Sequence, residues 1–380
     1  MWIFYICALI PVAAGAFFLW KDEEVVWWEW LIGAGAAFLL AGIMHIIAIK
    51  GMTSDTETWS GQVVKISHCP RWEERYTETH SETVDDGNGK SHTRTWTTTE
   101  YETHSEHWVA HRDFGSYTDG INIDEDDFND IHRKFGGKIY TDGKQSSSHW
   151  DGTHSGGDNN IYSVDNVRGY IEPVTTLRSF ENRIKAAPTV FSFTKVPTNI
   201  NVYPWPENPD WRHSDRLLGT ASILVNHYKW DCMNASLGFR KRVNVIMVGF
   251  GSEPSDYGQW QQAKWIGGKK NDLVLCFGGG GRNQVPLWSY VFGWTENELV
   301  KKNLQTILMD NIIDDNIIPL ISAEVSQNYI IKDWHKFDYI AISPPTWSYW
   351  VYFISMILTQ GALYYFFNVN EYGKGYGSRY

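Results

Sequence analysis

The sequence predicts a membrane protein in which three transmembrane helices carry a soluble α+β region. Three observations predict this class. Long apolar runs lie at the two ends of the 380-residue chain. A polar stretch rich in Thr, Glu, His and Trp surrounds an Asp-Asp-Gly-Asn-Gly-Lys turn at 85–90. Continuous apolar strands alternate with helical segments between 203 and 343, as in an α/β sandwich. The soluble region therefore divides into a protruding β-hairpin part (53–202) and an α/β part (203–343).

Met1 to Trp20 contains no charged residue. Twenty helical residues match a hydrocarbon core of about 30 Å. A cleaved signal peptide would need a basic start, and no Lys or Arg precedes the run, so a retained helix is expected. Lys21, Asp22, Glu23 and Glu24 form a polar turn before a second span over 25–50. Trp27, Trp28 and Trp30 suit the membrane–water interface. Gly33, Ala37 and Ala41 recur every four residues and let another helix approach closely. His45 is placed near the interfacial end of this span. Pro344 and Pro345 precede the third span, 346–367, in which Ser355, Thr359 and Gln360 are disposed to hydrogen-bond another helix. The Gly/Tyr-rich tail 368–380 is expected to be unfolded.

Three spans place the central region on the same side as Met1. Basic residues near the membrane nearly balance: Lys21, Lys374 and Arg379 on one side, Lys50, Lys332 and Lys336 on the other. Long domains translocate largely regardless of charge, and an extracytoplasmic central domain is expected. Charged residues are 20% and apolar residues 43% of the chain, which excludes wholesale disorder. The net charge of −11 argues against a nucleic-acid partner. Four cysteines in a chain of this length are not a disulfide framework.

Trp59–Ser67 reads as a strand, and 72–108 as a long hairpin about the 85–90 turn. Both hairpin runs are polar on both faces, so the hairpin is expected to project as an arm. A lone two-stranded arm is marginally stable and should lean on its own domain, a partner or a second copy. Trp72, Tyr76, Trp96 and Trp108 are the candidate partner-binding residues, because aromatics carry interface energy when covered. The six histidines of this region (68, 80, 92, 104, 107 and 111) lack a zinc-site spacing and read as cross-strand surface pairs. Asp124–Asp127 lacks the EF-hand pattern and reads as a helix start before Phe128. The segment 144–160 is a loop by composition.

Farther on, Val243–Phe250 and Leu273–Phe277 are expected as buried strands, with a helix over Ser255–Trp265 between them and a third strand over Val285–Trp294. Thr295 and Glu298 read as a capping box, and Asp314 or Asp315 as the cap of a further helix. Phe337–Ile342 is expected to close the sheet. Gly278–Gly281 is not followed by Lys-Ser/Thr and a helix, so it reads as a hairpin turn and not a phosphate loop. No Gly-x-Ser-x-Gly elbow is present.

The stretch 243–312 resembles the TPM domain, a family of membrane-tethered extracytoplasmic α/β domains. The resemblance is carried by Val-Asn-Val-Ile-Met-Val, a helix ending Gln-Ala-Lys-Trp-Ile-Gly (262–267), and Gly-Lys-Lys-Asn-Asp-Leu-Val-Leu-Cys-Phe (268–277). Lys270-Asn271-Asp272 stands where the family usually has Asp-Asn-Gly. A membrane helix and Gly-rich tail after the domain also resemble the family's layout. The overall arrangement is similar to that of membrane proteins encoded by large tailed bacteriophages.

Two function classes follow. The first is a membrane-anchored binding or scaffolding protein without a catalytic centre, whose partners are the lipid bilayer and another membrane or envelope protein, or a second copy. The second, implied by the resemblance, is a metal-dependent phosphoester hydrolase using Ca²⁺ or Mg²⁺. Asp256 at a helix start and Asp272 before a buried strand are its candidate metal ligands, with capping and turn roles as the plain alternative. No other cofactor signature is present.

Overall fold

A computed structural model describes residues 3–20, 27–85, 91–191, 193–207, 211–212, 214–279 and 283–369. It is a mixed α+β structure with two compact units. The first comprises Met1–Glu57, Arg178–Val196 and Asp333–Tyr380; the second comprises Thr58–Leu177 and Pro197–Lys332.

The first unit holds α1 (Ile3–Trp20) and α2 (Trp27–Thr53), includes the first residues of β1 (Ser54–Cys69), which runs on into the second unit, and ends in α10 (Thr346–Val369). Among the described residues two helices are long and apolar enough to cross a membrane, Trp27–Thr53 and Thr346–Phe367; the apolar stretch Phe4–Ala14 is shorter. The small-residue stripe of α2 is used as its spacing predicts. Ala37 and Ala41 are buried with Phe4, Ala8, Tyr352 and Met356. Gln360 Nε2 donates to the Gly33 carbonyl at 2.9 Å, and a Cβ at Gly33 would stand 3.0 Å from Gln360 Oε1, so the small residue favours this close approach. His45 is half-buried at the edges of the Phe4 and Tyr5 rings. Phe337–Ile342 is not a strand: a 3₁₀ turn occupies Trp334–Phe337, and Arg183 Nη1 donates to the Asp338 and Ile340 carbonyls.

The second unit holds three sheets. The first has the order β5-β4-β1-β8-β6, with β9 also paired to β1. Its strands are β1, β4 (His107–Asp113), β5 (Thr118–Ile123), β6 (Tyr140–Lys144), β8 (Asn160–Asp165) and β9 (Pro173–Glu181). The low periodicity of this region hid most of them. Apart from β1 these strands are short, and their buried positions mix polar with apolar residues, as Ser163 with Val164 and Val174 with Thr175. The helix α3 (Glu125–Phe135) covers one face with Phe128, Ile131 and Phe135. Its start follows the acidic run: the Asp124 side chain accepts from the Asp127 amide, and Gly136 closes the helix with φ 67°.

The α/β sheet has the order β10-β11-β12-β13. Strands β10 (Leu217–Gly219), β11 (Asn244–Gly249) and β12 (Asp272–Gly278) are parallel, and β13 (Trp288–Gly293) is antiparallel to β12. Short α5 (Ala221–Leu224) and α6 (His227–Lys241) cross from β10 to β11, and α7 (Asp256–Lys264) crosses from β11 to β12. Val245, Met247, Leu273, Leu275 and Phe277 pack against α6, α8 (Leu299–Asp310) and α9 (Ile317–Asn328). Ile246, Val248, Val274 and Cys276 face the opposite side, against Trp265 and Val202. Burial on both faces explains why these strands read as unbroken apolar runs.

The two expected helix caps differ in detail. Thr295 is buried and donates to the Ile330 carbonyl, while Asn297 accepts from the Leu299 amide. Asp314 accepts from the Asn316 amide, and Asp315 binds the Asn226 amide and Lys229. Thr295 also accepts from the Asn297 amide, so Thr295 and Asp314 keep local amide contacts, while Asp315 is taken by tertiary partners.

A buried polar network ties β1 to this sheet. Arg216 donates to Ser60 Oγ at 2.7 Å, Asp231 Oδ1 at 2.8 Å and Asn244 Oδ1 at 2.7 Å. Asn244 in turn donates to Asp272 Oδ1 at 2.8 Å, and Asn271 to the Thr58 carbonyl at 2.7 Å. Burial lowers the Arg216 pKa, and Asp231 opposes that shift.

The third sheet is the hairpin, β2 (Trp72–Asp85) and β3 (Ser91–His104), with α4 (Arg183–Ala186) elsewhere completing the helix series. A short β7 (Thr153–Gly157) adds a third strand, giving the order β3-β2-β7. The expected loop at 144–160 therefore contains a strand. The expected hairpin limit at 108 is corrected to His104. Ser105 and Glu106 break the run, and Trp108 belongs to β4, paired with β1. The turn residues 86–90 and Gly280–Arg282 lie outside the described residues.

Candidate binding site

The register of the hairpin places Trp72 opposite His104, Glu74 opposite Glu102, Tyr76 opposite Glu100 and His80 opposite Trp96. With a side-chain period of two, these residues share one face. Strand β7 pairs with β2 only over Trp72–Arg75. The loop before β7 lies over the shared face at the hairpin base, held by Gln145 Nε2 on the Pro70 carbonyl at 2.7 Å.

Glu74 is the centre of this base and is fully buried. Its Oε2 accepts from Ser148 N at 3.0 Å and Ser148 Oγ at 2.9 Å, and it lies 2.8 Å from His104 Nε2. Its Oε1 accepts from His149 N at 3.2 Å. Burial alone would raise its pKa, but these hydrogen bonds outweigh burial and hold the carboxyl at about 2. Gly152 is required beside it: a Cβ there would stand 1.7 Å from Glu74 Oε1.

Glu102 lies on the solvent side of the same pair. Its Oε2 is 2.9 Å from Ser148 Oγ and 3.0 Å from His149 Nε2, and these bonds lower its pKa. The His149 ring stacks on Tyr76 at 3.4 Å between centroids. Burial, followed by the charges of Glu78, Glu100, Glu102 and Glu74, raises the Tyr76 pKa.

Glu74, Glu102 and His104 offer ligand atoms within 4.8 Å of one another, the donor chemistry of a divalent-cation site. The hydrogen bonds favour a different use. Three of the four contacts to the Glu74 carboxylate converge on Oε2, the oxygen that faces His104, and the fourth engages Oε1. A cation would have to break the 2.8 Å His104–Glu74 contact, which is shorter than the spacing of two ligands around a tetrahedral zinc, about 3.3 Å. The cluster is a clasp that fixes the loop to the hairpin base.

The aromatic residues singled out by sequence occupy different environments. Trp72 is buried and stacks on His104 at 4.5 Å. Tyr76 is half-covered by His149. Trp96 is 41% exposed and stacks on His80 at 5.5 Å. Trp108 stacks on His68 at 5.4 Å and packs beside the β1 core. On the hairpin and its adjoining loop, two strongly exposed aromatics were missed, Tyr101 at 63% and Trp150 at 97% exposure. The Ser/Gly-rich composition around Trp150 masked it, although a lone Trp within a polar loop was itself the available signal.

Asp256 is exposed at the first position of α7. Asp272 is buried at the start of β12, its Oδ1 bound by Asn244 and its Oδ2 by the Lys269 amide at 2.5 Å. Among the described residues the two do not share a group of three potential metal ligands. All four cysteines, Cys7, Cys69, Cys232 and Cys276, are free. No family model, curated protein or solved structure matches the chain.

Proposed function

We propose that this is a membrane-anchored binding protein that presents its hairpin to a partner at the membrane surface. The hairpin carries the reading. Each strand is fourteen residues long and largely exposed beyond the buried base at Trp72 and Glu74, with the exposed rings of Trp96 and Tyr101 on the strands and Trp150 on the adjoining loop. Exposed aromatics on a braced polar framework lose little conformational freedom when a partner covers them. The two long apolar helices support membrane attachment. In this proposal α1 supplies a third span and the second unit is extracytoplasmic.

The test uses the full chain in its membrane. A photo-reactive side chain replaces Trp96 or Tyr101, and cross-linked products are resolved by mass. A saturable adduct of defined mass, lost when 75–101 is replaced by a short turn, is expected. Absence of adducts at both positions overturns the reading. Resistance to alkaline extraction checks the membrane anchorage, and a protease site inserted at Asn88 checks the side on which the domain lies.

A further inference from the structure

Strand β3 is an edge. Among the described residues no strand pairs with its outer side from Thr93 to His104. The outer side of β2 is partly taken, by β7 over Trp72–Arg75 and by Asp151 on the Thr77 amide. An edge strand offers main-chain donors and acceptors at alternate residues, and proteins usually blunt such edges with proline, bulges or lysine. Ser91–His104 contains no proline, glycine or lysine. Its register with β2 runs unbroken from Trp72↔His104 to Asp85↔Ser91, without a bulge. Six of its residues are threonines, which favour extended backbone.

Charge is distributed asymmetrically along this edge. His92 and Arg94 lie in the first half, and Glu100 and Glu102 in the second. All four lie on the face that carries Trp96. Parallel pairing of two such strands in register would set like charges together. Antiparallel pairing sets opposite charges together.

We propose that β3 pairs antiparallel with β3 of a second copy of this chain, about a two-fold axis at Thr97. This rests on the hairpin being a binding arm and names its partner. Counting outward from Thr97, Arg94 of each copy meets Glu100 of the other, and His92 meets Glu102. Thr95 meets Thr99, a favourable cross-strand pair. A two-fold axis perpendicular to the sheet keeps residues of one face together, so the two Trp96 rings become diagonal neighbours over the axis. In its own hairpin Glu100 faces Tyr76 and no cation, so Arg94 of the second copy supplies the opposite charge. The joined ribbons form a four-stranded sheet, which removes the exposed edge of both arms.

Cysteine cross-linking of the full chain in nanodiscs reads the register. Facing residues of an antiparallel pair have Cα atoms about 4.5–5.5 Å apart, within disulfide reach. Thr97→Cys is expected to give a covalent dimer on mild oxidation, Thr95→Cys alone is not, and Thr95→Cys with Thr99→Cys is. Arg94→Glu is expected to weaken the dimer about tenfold or more, because two attractive pairs become repulsive. Arg94→Glu with Glu100→Arg is expected to restore it. A monomeric mass for the wild-type chain, equal cross-linking at 95 and 97, or no rescue by the double exchange overturns the proposal. A monomer whose Trp96 photo-probe still captures a different protein overturns self-pairing alone. A monomer with no adduct overturns the binding-arm reading as well.

Discussion

Strands β12 and β2 are made of the same backbone structure and held by opposite means. All seven residues of β12 are buried, with side chains packed on both faces of the sheet. In β2 only Trp72 and Glu74, at the base, are buried. The first strand is stabilised by removing apolar surface from water. The second is stabilised by its ladder, by cross-strand pairs and by a clasp at one end. The comparison teaches where each region is vulnerable: β12 through volume and buried charge, β2 through the few polar contacts at its root.

The largest expected effect breaks the buried side. Arg216→Met leaves Asp231 without its cation and should cost about 3–5 kcal/mol, read from denaturant unfolding of the full protein. Leu275→Ala removes volume from the middle of β12 and should cost about 2–5 kcal/mol in the same measurement. At the hairpin base, Glu74→Gln turns part of a four-contact acceptor into a donor. It should cost about 1–3 kcal/mol and accelerate amide exchange at Ser148 and His149, with little change in β12.

Glu74 also sets an acid limb. Its folded pKa of about 2 is below its ordinary 4.5, so its contribution is complete above 4.5 and is lost as pH falls towards 2. Glu74→Gln should flatten the pH dependence of loop exchange over that window. The smallest effect sharpens the contrast from the other side. Thr79→Ala, exposed in mid-hairpin, should change global stability by no more than about 0.5 kcal/mol. A cost of several kcal/mol there would show that the hairpin is covered in the folded protein.

Legibility in the sequence followed the same division. Continuous apolar runs revealed β11 and β12, and α7 lay between them as expected. The polar hairpin was visible because its turn residues are explicit. The strands at 140–144 and 153–157 were not visible, since five-residue polar strands carry no periodic signal. Of the clasp, Glu74, Glu102 and His104 lay within the recognised hairpin, but Ser148, His149 and Gly152 belonged to a segment whose composition read only as loop. Their relation to Glu74 spans about seventy residues of chain and exists only after folding.

Apolar run length and turn chemistry, which act within a few residues, determined the long terminal helices, the hairpin and the buried strands from sequence alone. Tertiary structure decided which aromatics are covered. It buried Trp72 under His104, took Trp108 into another sheet and left Trp150 in solvent. It also turned Asp272 inward to Asn244 and gave the Thr295 hydroxyl a distant acceptor, the Ile330 carbonyl, beside its local Asn297 amide. A side chain's hydrogen-bonding capacity is written in its chemistry, but the partner that fills it is chosen by which distant backbone the fold brings near.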